Sequence, residues 1–419
     1  MKLREQIVRS FAMAVLHHLG NARCYAQSVI EVGTCEELKQ AVQLTADSGD
    51  SHVALAAGGV SCDEWTTFTI EHNKLHLVAN EGGSLRKRHV YGFENVRFLI
   101  LSGVFQSDVA LSFTTGVDNQ IQEVNGGVLN VAPGAHARFE SAVLMNRVTI
   151  EGVSRGGVDE TSGKGFGGCI YNQGSIRFTG YLLAKGCAIV GEQEGITGNG
   201  GGIFNGKTGD IVFKGRANIS DCGTTAPAVV DDTELDDASS LYNAPVNDMS
   251  RGGGIYNEGK MWMFKTANFL DNASGAGGAI FNQGEMDFVQ KKAMFIRNHS
   301  HGFGDCYSGN DGRYFSGGQV LNTGSITFGG GVVFEDGGTG GFGGAIANYG
   351  SVIINTYALF KRNSAGCMGG AISSPSNATF ELLKDARFQA NTVAYDEAMC
   401  KNWFEGDSMS LRCLRELFG

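Results

Sequence analysis

The sequence predicts an all-β protein, a single-stranded right-handed parallel β-helix (solenoid) with an N-terminal capping helix. Three observations predict this fold: glycine pairs recur along the chain, the segments between them alternate apolar and polar residues, and the short intervals leave no room for helical crossovers. The pairs begin at Gly126, Gly167, Gly200, Gly252, Gly277, Gly317, Gly343 and Gly369. The smallest interval is 25 or 26 residues, and the longer intervals look like the same unit with inserted loops.

Each unit contains three short strand-like segments. In residues 277–298 these segments are "AIFN", "EMDF" and "AMFIRN", and their alternation of apolar and polar residues is typical of half-buried strands. Three strands in about 25 residues match one coil of a parallel β-helix. Each strand would then pair with its equivalents in the coils above and below, at the ~4.8 Å spacing of paired strands.

The first strand of each unit places two columns of side chains inside the stack of coils. The aliphatic column is Ile170, Ile203, Ile255, Ile280, Val320, Ile346 and Ile372. The asparagine column, two residues further on, is Asn172, Asn205, Asn257, Asn282, Asn322 and Asn348. Because strand side chains alternate, both columns face the same side, and each inward amide can donate to the next one along the axis. The sequence therefore predicts an asparagine ladder, beside glycines that adopt positive φ at a corner.

The second and third strands supply the remaining inner side chains. The second strand provides the inward pairs Ile176 and Phe178, Ile211 and Phe213, Met286 and Phe288, and Ile326 and Phe328. The third strand ends in Phe-x-x-Asn at Phe269–Asn272, Phe295–Asn298, Phe360–Asn363 and Phe388–Asn391. We expect the phenylalanine to pack inside and the asparagine to turn the corner.

Four glycosylation sequons begin at Asn218, Asn272, Asn298 and Asn377. They would accept glycans if the protein entered a eukaryotic secretory route. Since Asn272 and Asn298 end third strands, we expect these two to hold structural positions and to stay unglycosylated.

The chain divides into four segments, which are 1–26, 27–125, 126–395 and 396–419. The second segment holds weaker strand-like repeats, the third holds the regular repeats, and the fourth has helical character and is predicted to be a C-terminal cap. Near the start of the second segment, Thr34 and Glu37 form a capping-box pattern, which predicts a helix. The apolar face of that helix is Leu38, Ala41, Val42 and Leu44. It would cover the first coil, because an open solenoid end exposes core and strand edges.

Residues 1–26 are predicted to be a signal peptide. Lys2, Arg4 and Arg9 precede a short apolar run over 11–19, and a small-residue exit follows. The alternative interpretation is an ordinary amphipathic N-terminal helix. After residue 26 no stretch approaches the ~20 apolar residues of a transmembrane helix.

The ten cysteines favour an oxidising compartment, so we expect an extracellular or cell-surface protein. Cys35 with Cys62, and Cys400 with Cys413, are the expected local disulfides, because each would join residues near one end of the chain.

Two motifs together resemble a known repeat family. The segment "GGAI" at Gly277 and Gly343, combined with Phe-x-x-Asn, is similar to the repeats of chlamydial polymorphic outer membrane proteins, within the pectin-lyase-like β-helix superfamily. The resemblance covers about residues 126–395. It implies a surface-exposed β-helix of the kind that forms the passenger of an autotransporter and is associated with adhesion.

Two segments suggest chemistry, and each has a plainer interpretation. In "NHSHGFGD", His299, His301 and Asp305 superficially resemble a polygalacturonase motif, but the paired aspartates and the Arg-Ile-Lys segment of that family are missing. We interpret the histidines as part of a solvated loop and predict no catalytic residue. The acidic run "DDTELDD" over 231–237 fits no EF-hand spacing, so we interpret it as a solvated loop. No metal and no cofactor are predicted. The net charge of −10, without a basic stripe, argues against a nucleic-acid partner.

One outward column is the candidate ligand-binding site. Between the inward aliphatic and the inward asparagine stand Tyr171, Phe204, Tyr256 and Phe281, followed by Leu321 and Ala347. Stacked coils would place the four aromatic residues in one row, and exposed aromatic rows bind sugars or partner proteins. The alternative is that the long inserts fold back and cover the row.

These features favour a secreted or cell-surface β-helix that acts as an adhesin or other binding scaffold through its lateral face. Its partner would be a cell-surface protein or a polysaccharide. The second hypothesis is a polysaccharide-active lyase, hydrolase or epimerase on a pectin-lyase-like fold, and the third is a structural wall component. An enzyme would shorten or deplete an acidic polysaccharide, whereas a binding protein would only retain it.

Overall fold

The computed structural model describes residues 29–48, 51–71, 74–79, 89–115, 121–122, 125–153, 166–191, 198–225, 250–301 and 316–393. Within them it contains one α-helix and forty short β-strands. The predicted signal peptide, the acidic run 231–237 and the C-terminal segment 396–419 lie outside these residues.

The strands follow one another in chain order, with four strands in each regular repeat, one more than the sequence predicts. Before the first glycine pair the elements are β1 (Val29–Val32), α1 (Cys35–Ser48), β2 (Ser51–Leu55), β3 (Val60–Ile70), β4 (Lys74–Ala79), β5 (Val90–Ile100), β6 (Val104–Ser107), β7 (Ala110–Thr114) and β8 (Ile121–Gln122). The next elements are β9 (Leu129–Val131), β10 (His136–Phe139), β11 (Val143–Asn146), β12 (Thr149–Val153), β13 (Ile170–Asn172), β14 (Ser175–Phe178), β15 (Leu182–Lys185), β16 (Ala188–Gly191), β17 (Ile203–Asn205), β18 (Asp210–Phe213), β19 (Ala217–Ser220) and β20 (Gly223–Thr225).

The later repeats continue the same order. They comprise β21 (Ile255–Asn257), β22 (Lys260–Met263), β23 (Ala267–Leu270), β24 (Ala273–Ser274), β25 (Ile280–Asn282), β26 (Glu285–Phe288), β27 (Ala293–Ile296), β28 (His299–Ser300), β29 (Val320–Asn322), β30 (Ser325–Phe328), β31 (Val332–Glu335) and β32 (Gly338–Thr339). The last eight strands are β33 (Ile346–Asn348), β34 (Ser351–Ile354), β35 (Ala358–Lys361), β36 (Ser364–Ala365), β37 (Ile372–Ser373), β38 (Thr379–Leu382), β39 (Ala386–Gln389) and β40 (Thr392–Val393).

The described strands pair in parallel and assemble into three sheets. The first sheet has twelve strands in the order β1-β2-β4-β6-β10-β14-β18-β22-β26-β30-β34-β38, and the third has nine strands, running through every fourth strand from β8 to β40. The second sheet has nineteen strands because the long strand β5 pairs with both β7 and β9. One of its series then runs through every fourth strand from β7 to β39, and the other from β9 to β37.

Equivalent residues of successive repeats are Cα partners in these sheets. Asn205 pairs with Asn257, and Asn257 pairs with Asn282. The weaker strand-like runs before Gly126 join the same sheets, as predicted. The described chain is therefore nearly all β, with long parallel sheets built from the sequence repeat, and this topology is consistent with a parallel β-helix.

The predicted inward side chains form the inner core. The aliphatic column is fully buried from Ile170 to Ile346, and the four predicted second-strand pairs are at most 2% exposed. Phenylalanines of the third strand stack in successive repeats, with ring centroids 4.7 Å apart for both Phe269–Phe295 and Phe295–Phe334. The period-two reading of the repeat is confirmed.

The predicted asparagine ladder is present, and we call it the first ladder. In each step the amide Nδ2 donates to Oδ1 of the asparagine in the next repeat at 2.7–2.8 Å, from Asn172 through Asn205, Asn257, Asn282 and Asn322 to Asn348. All six side chains are fully buried. Asn282 Nδ2 also lies 3.1 Å from the carbonyl oxygens of Gly284 and Ser325. This amide therefore bonds to the backbone of its own turn and to that of the next repeat.

A second ladder runs along the ends of the third strands. Its members are Asn272, Asn298, Gln319, Asn363 and Asn391, joined by amide hydrogen bonds of 2.9 Å. The repeat between Asn298 and Asn363 has Gly337 at the asparagine position. There Gln319 reaches across from the residue after a glycine pair, accepts from Asn298 and donates to Asn363.

The asparagine does not itself turn the third-strand corner, so that expectation is wrong. The preceding residue adopts the left-handed conformation instead, with φ of 55° at Asp271 and 52° at Arg297 and Arg362. The asparagine that follows points inward and is buried. At the other corner the expectation is confirmed: Gly277 has a φ of 64°, and a Cβ there would clash with the carbonyl oxygen of Ile280.

The sequons divide as the columns predict. Asn272 and Asn298 are fully buried, and their amides are engaged in the second ladder. Asn218 is half-buried and Asn377 is exposed.

Helix α1 has the predicted capping box. Thr34 Oγ1 accepts from the Glu37 backbone N–H at 3.3 Å, and Glu37 Oε2 accepts from the Thr34 N–H at 3.0 Å. Leu38 and Ala41 are fully buried, but Leu44 is 50% exposed, so the predicted apolar face is too wide. The helix contacts β1, β2, β3 and β4. It is not long and apolar enough to span a membrane, and the described residues contain no other helix.

The cysteines agree in part with expectation. The predicted Cys35–Cys62 disulfide is present and joins the start of α1 to β3. A second disulfide, Cys169–Cys187, was not predicted. The two cysteines are 18 residues apart, and the sequence pattern does not show that they lie close together. Cys222 is a buried free thiol. The predicted Cys400–Cys413 pair lies outside the described residues.

Candidate functional site

The four predicted aromatic residues stand side by side on β13, β17, β21 and β25. Sheet register pairs Tyr171 with Phe204, Phe204 with Tyr256, and Tyr256 with Phe281. Successive ring centroids lie 5.1–5.2 Å apart with interplanar angles of 6–10°. We call this stack the aromatic row. It belongs to a hydrophobic cluster separate from the inner core, and Leu321 and Ala347 extend that cluster.

Most of the aromatic row is covered. Phe204, Tyr256 and Phe281 are 5%, 4% and 3% exposed, and only Tyr171 is half-buried. The expectation of an exposed row is therefore wrong for Phe204, Tyr256 and Phe281.

The cover that the structure describes comes from the residues before the glycine pairs. Isolated parallel bridges link Phe166, Asn199, Arg251 and Ala276 in successive repeats, so these residues form a line of their own. The Phe166 ring centroid lies 4.7 Å from that of Phe204, and the Arg251 guanidinium carbon lies 5.1 Å from the ring centroid of Phe281. The insert expected to cover Phe204 and Tyr256 is 222–249, and its residues 226–249 lie outside the described residues. Its contribution stays untested.

A polar rim follows one edge of the aromatic row. Gln173 Nε2 donates to the Tyr171 hydroxyl at 2.7 Å. The Tyr256 hydroxyl lies 3.2 Å from Glu258 Oε1 and 3.0 Å from Gln283 Oε1. Burial, with the nearby Glu258 carboxylate, raises the pKa of Tyr256, so this phenol stays protonated and donates. Gln283 is exposed, and the rim therefore brings amide and carboxylate groups to the surface beside the covered rings.

The histidines of "NHSHGFGD" do not lie in a solvated loop. Both are half-buried: His299 starts β28 and His301 follows that strand. Burial lowers the pKa of each imidazole to about 4, and the Arg297 guanidinium adds to this for His299. The loop interpretation is therefore wrong for both side chains, while Asp305 lies outside the described residues. Among the described residues no group of three or more His, Cys, Asp or Glu side chains could hold a metal ion.

The sequence located the aromatic row but could not show what covers it. Phe166, Arg251 and Ala276 share no residue type, so they form no column that a pattern search would find. Their common property is that each directly precedes a glycine pair.

No family model, curated protein or solved structure matches this chain.

Proposed function

We propose that the chain is a secreted or cell-surface right-handed parallel β-helix that acts as an adhesin or other binding scaffold through its lateral face. In this proposal α1 closes the N-terminal end of the solenoid. The parallel register of equivalent strands supports the β-helix, and the contacts of α1 with the first four strands support the capping role. Disulfides at Cys35–Cys62 and Cys169–Cys187 support an oxidising compartment.

The aromatic row and its polar rim carry the proposal of binding. Tyr171 is the one half-buried member of the row, and its ring is stacked on that of Phe204 with 5.2 Å between the ring centroids. A fixed ring beside amide groups suits a ligand with a flat apolar face and hydroxyl or amide edges, such as a sugar or a protein side chain. We therefore propose that Tyr171 contacts the ligand, together with Gln173.

The covered rings would act through position rather than contact. Phe281 and Tyr256 stack on each other and support the position of the Phe204 and Tyr171 rings. They are too buried to contact a ligand. Truncation of Phe281 to alanine should therefore lower the free energy of unfolding by about 3–5 kcal/mol, as for other buried aromatic residues. It should affect binding only as far as it unfolds the protein.

The test compares a tyrosine of the aromatic row with a tyrosine outside it. The full chain would be applied to immobilised cell-surface protein and polysaccharide fractions, and its retention measured beside that of Tyr171→Ala and Tyr181→Ala. Tyr181 is 37% exposed and lies before β15, away from the aromatic row. We expect Tyr171→Ala to weaken retention about tenfold, which corresponds to about 1.4 kcal/mol, and Tyr181→Ala to leave it unchanged.

Equal retention by both variants and the parent would contradict the proposed site. If the polysaccharide fraction were shortened or depleted during the assay, the enzymatic alternative would replace the binding function.

A further inference from the structure

The two ends of the described stack of strands differ in how they are covered. At the first end α1 lies against the opening strands, with Leu38 and Ala41 fully buried. In the last described repeat, β37 to β40, the apolar side chains are open: Leu382 is 36% exposed and Val393 is 43% exposed.

Sheet register shows that these open side chains belong to the core. Leu382 pairs with Ile354 and Val393 pairs with Ala365, which are 0% and 1% exposed one repeat earlier. Phe380, which pairs with the fully buried Val352, is likewise only half-buried. The last repeat therefore presents the cross-section of the inner core, and we call this surface the terminal face.

Among the described residues, the strands at the edge of the terminal face also lack a pairing partner on their outer side. Strands β38 and β40 end the first and third sheets, and each has a described partner on one side only. Exposed core combined with open strand edges is the usual starting point for association between chains. A solenoid therefore needs an occupant at this place.

We propose that residues 394–419 of this chain occupy the terminal face. The segment follows Val393 directly, so a few residues of chain separate it from the open side chains. Such a short tether gives an effective concentration in the millimolar range, far above that of a second copy in solution. The intramolecular occupant is therefore favoured over a partner molecule.

The sequence of the segment fits an apolar surface. Leu411, Leu414 and Phe418 recur at spacings of three and four, a pattern typical of one face of a helix. Trp403 and Phe404 add two large aromatic residues before them. With the core cross-section covered, the chain would present no open end for stacking onto another copy.

The first experiment measures hydrogen exchange in the full chain by mass spectrometry. A double variant, Leu414→Ser with Phe418→Ser, should raise the exchange rates of amides in 379–393 about tenfold, because local opening becomes easier there. Amides in 346–354, one repeat further in, should be unchanged and report that the fold is intact.

Two variants in the last repeat make the measurement specific. Leu382→Ser should raise exchange in the same region, and combining it with the double variant should add little, because both remove one contact. Leu383→Ser is the matched control: Leu383 is 59% exposed and follows the core-facing position. Parent-like exchange in the double variant, or full additivity with Leu382→Ser, would overturn the proposal.

The second experiment needs no substitution. Carbodiimide coupling of the parent chain should join Lys401 to Glu381 or Asp385, which are exposed in the last repeat. Mixing isotopically light and heavy protein separates links within one chain from links between chains. Links found only between chains would assign the terminal face to a second copy, and the absence of any link would leave it without this segment; either result rejects the proposal.

Discussion

The first ladder and the second ladder solve the same problem with different residues. The first is six asparagines in an unbroken series, each donating to the next. The second contains a glutamine among four asparagines, and that glutamine comes from the opposite side of the repeat. Each step of a buried ladder therefore requires a side-chain amide within hydrogen-bond distance of the next one, and residues at different sequence positions can supply it.

A steric relation accompanies this exchange. Gln319 and Gly337 are 18 residues apart, and a Cβ added at Gly337 would meet the Gln319 side chain. Cys169 and Cys187 have the same separation and are joined by a disulfide. The residue after a glycine pair and the residue that ends the third-strand corner therefore lie close together within a repeat.

Of the changes to the two ladders, breaking the first should have the largest effect. Asn282→Leu should lower the free energy of unfolding by about 2–4 kcal/mol, because it removes one acceptor of the Asn257 amide and a donor to Asn322 Oδ1 inside the core. Chemical denaturation followed by circular dichroism measures this loss. Gln290→Leu, at an exposed position of the same repeat, is the control and should change stability little. A variant as stable as the parent would show that the first ladder adds nothing to stability.

Breaking the second ladder should have a smaller effect that can be reversed. Gln319→Ala removes one acceptor of the Asn298 amide and one donor to Asn363 Oδ1, with an expected loss of about 1–3 kcal/mol. Adding Gly337→Asn to Gln319→Ala restores the residue pattern of the neighbouring repeats and should recover at least half of the loss. Gly337→Asn alone should destabilise, because its side chain would compete with Gln319 for one space.

The double variant decides between the two explanations of Gln319. If Gly337→Asn fails to rescue Gln319→Ala, the glutamine acts through packing and not through the amide that it supplies.

The same contrast explains what could be predicted from the sequence. The first ladder and the second-strand pairs repeat at a constant offset from each glycine pair, so strand alternation alone assigns them. Gln319 and the Cys169–Cys187 disulfide depend on two separate segments of a repeat lying side by side, and no local sequence pattern indicates that they do. Within the candidate site, the stacking of Tyr171 on Phe204 followed from the repeat. Its cover depends on unlike residues at one backbone position and could not be predicted.

Acid should destabilise the protein through His299 and His301, which lie beside the second ladder. His299 directly follows Asn298, and burial lowers its pKa and that of His301 to about 4, although Asp271 and Asp336 oppose the shift for His299. The unfolded chain, with an ordinary histidine pKa near 6.5, therefore binds protons first as the pH falls. The free energy of unfolding should be constant above pH 7 and decrease between about pH 6.5 and 4.

Because both imidazoles are partly solvated, we expect a loss of about 1–2 kcal/mol at pH 5 relative to pH 7. Denaturation curves at the two pH values measure it, and the double variant His299→Gln with His301→Gln should flatten the dependence. A parent protein equally stable at pH 5 and pH 7 would contradict the assignment of neutral, buried histidines.

The smallest expected effect is a gain, obtained by extending the second ladder by one step. Cys222 occupies the position before Asn272 in this column, and its backbone N–H already donates to Asn272 Oδ1 at 3.0 Å. Its thiol lies 3.5 Å from the Ala184 carbonyl oxygen, in the role that the amide of Asn272 plays toward the Ile219 carbonyl oxygen. In Cys222→Asn the side-chain amide would donate to the Ala184 carbonyl oxygen more strongly than the thiol does. The same amide would also donate to Asn272 Oδ1.

One or two added hydrogen bonds should raise the free energy of unfolding by about 0.5–1.5 kcal/mol. Cys222→Ser, whose hydroxyl is too short to reach the next repeat, is the control and should not stabilise. Burial raises the pKa of the Cys222 thiol to about 12, so the parent should resist alkylation while folded and its stability can be compared without a blocking agent. If Cys222→Asn destabilised the chain as much as Cys222→Ser, the space opposite this position would be closed to an amide, and the second ladder would end at Asn272 for steric reasons.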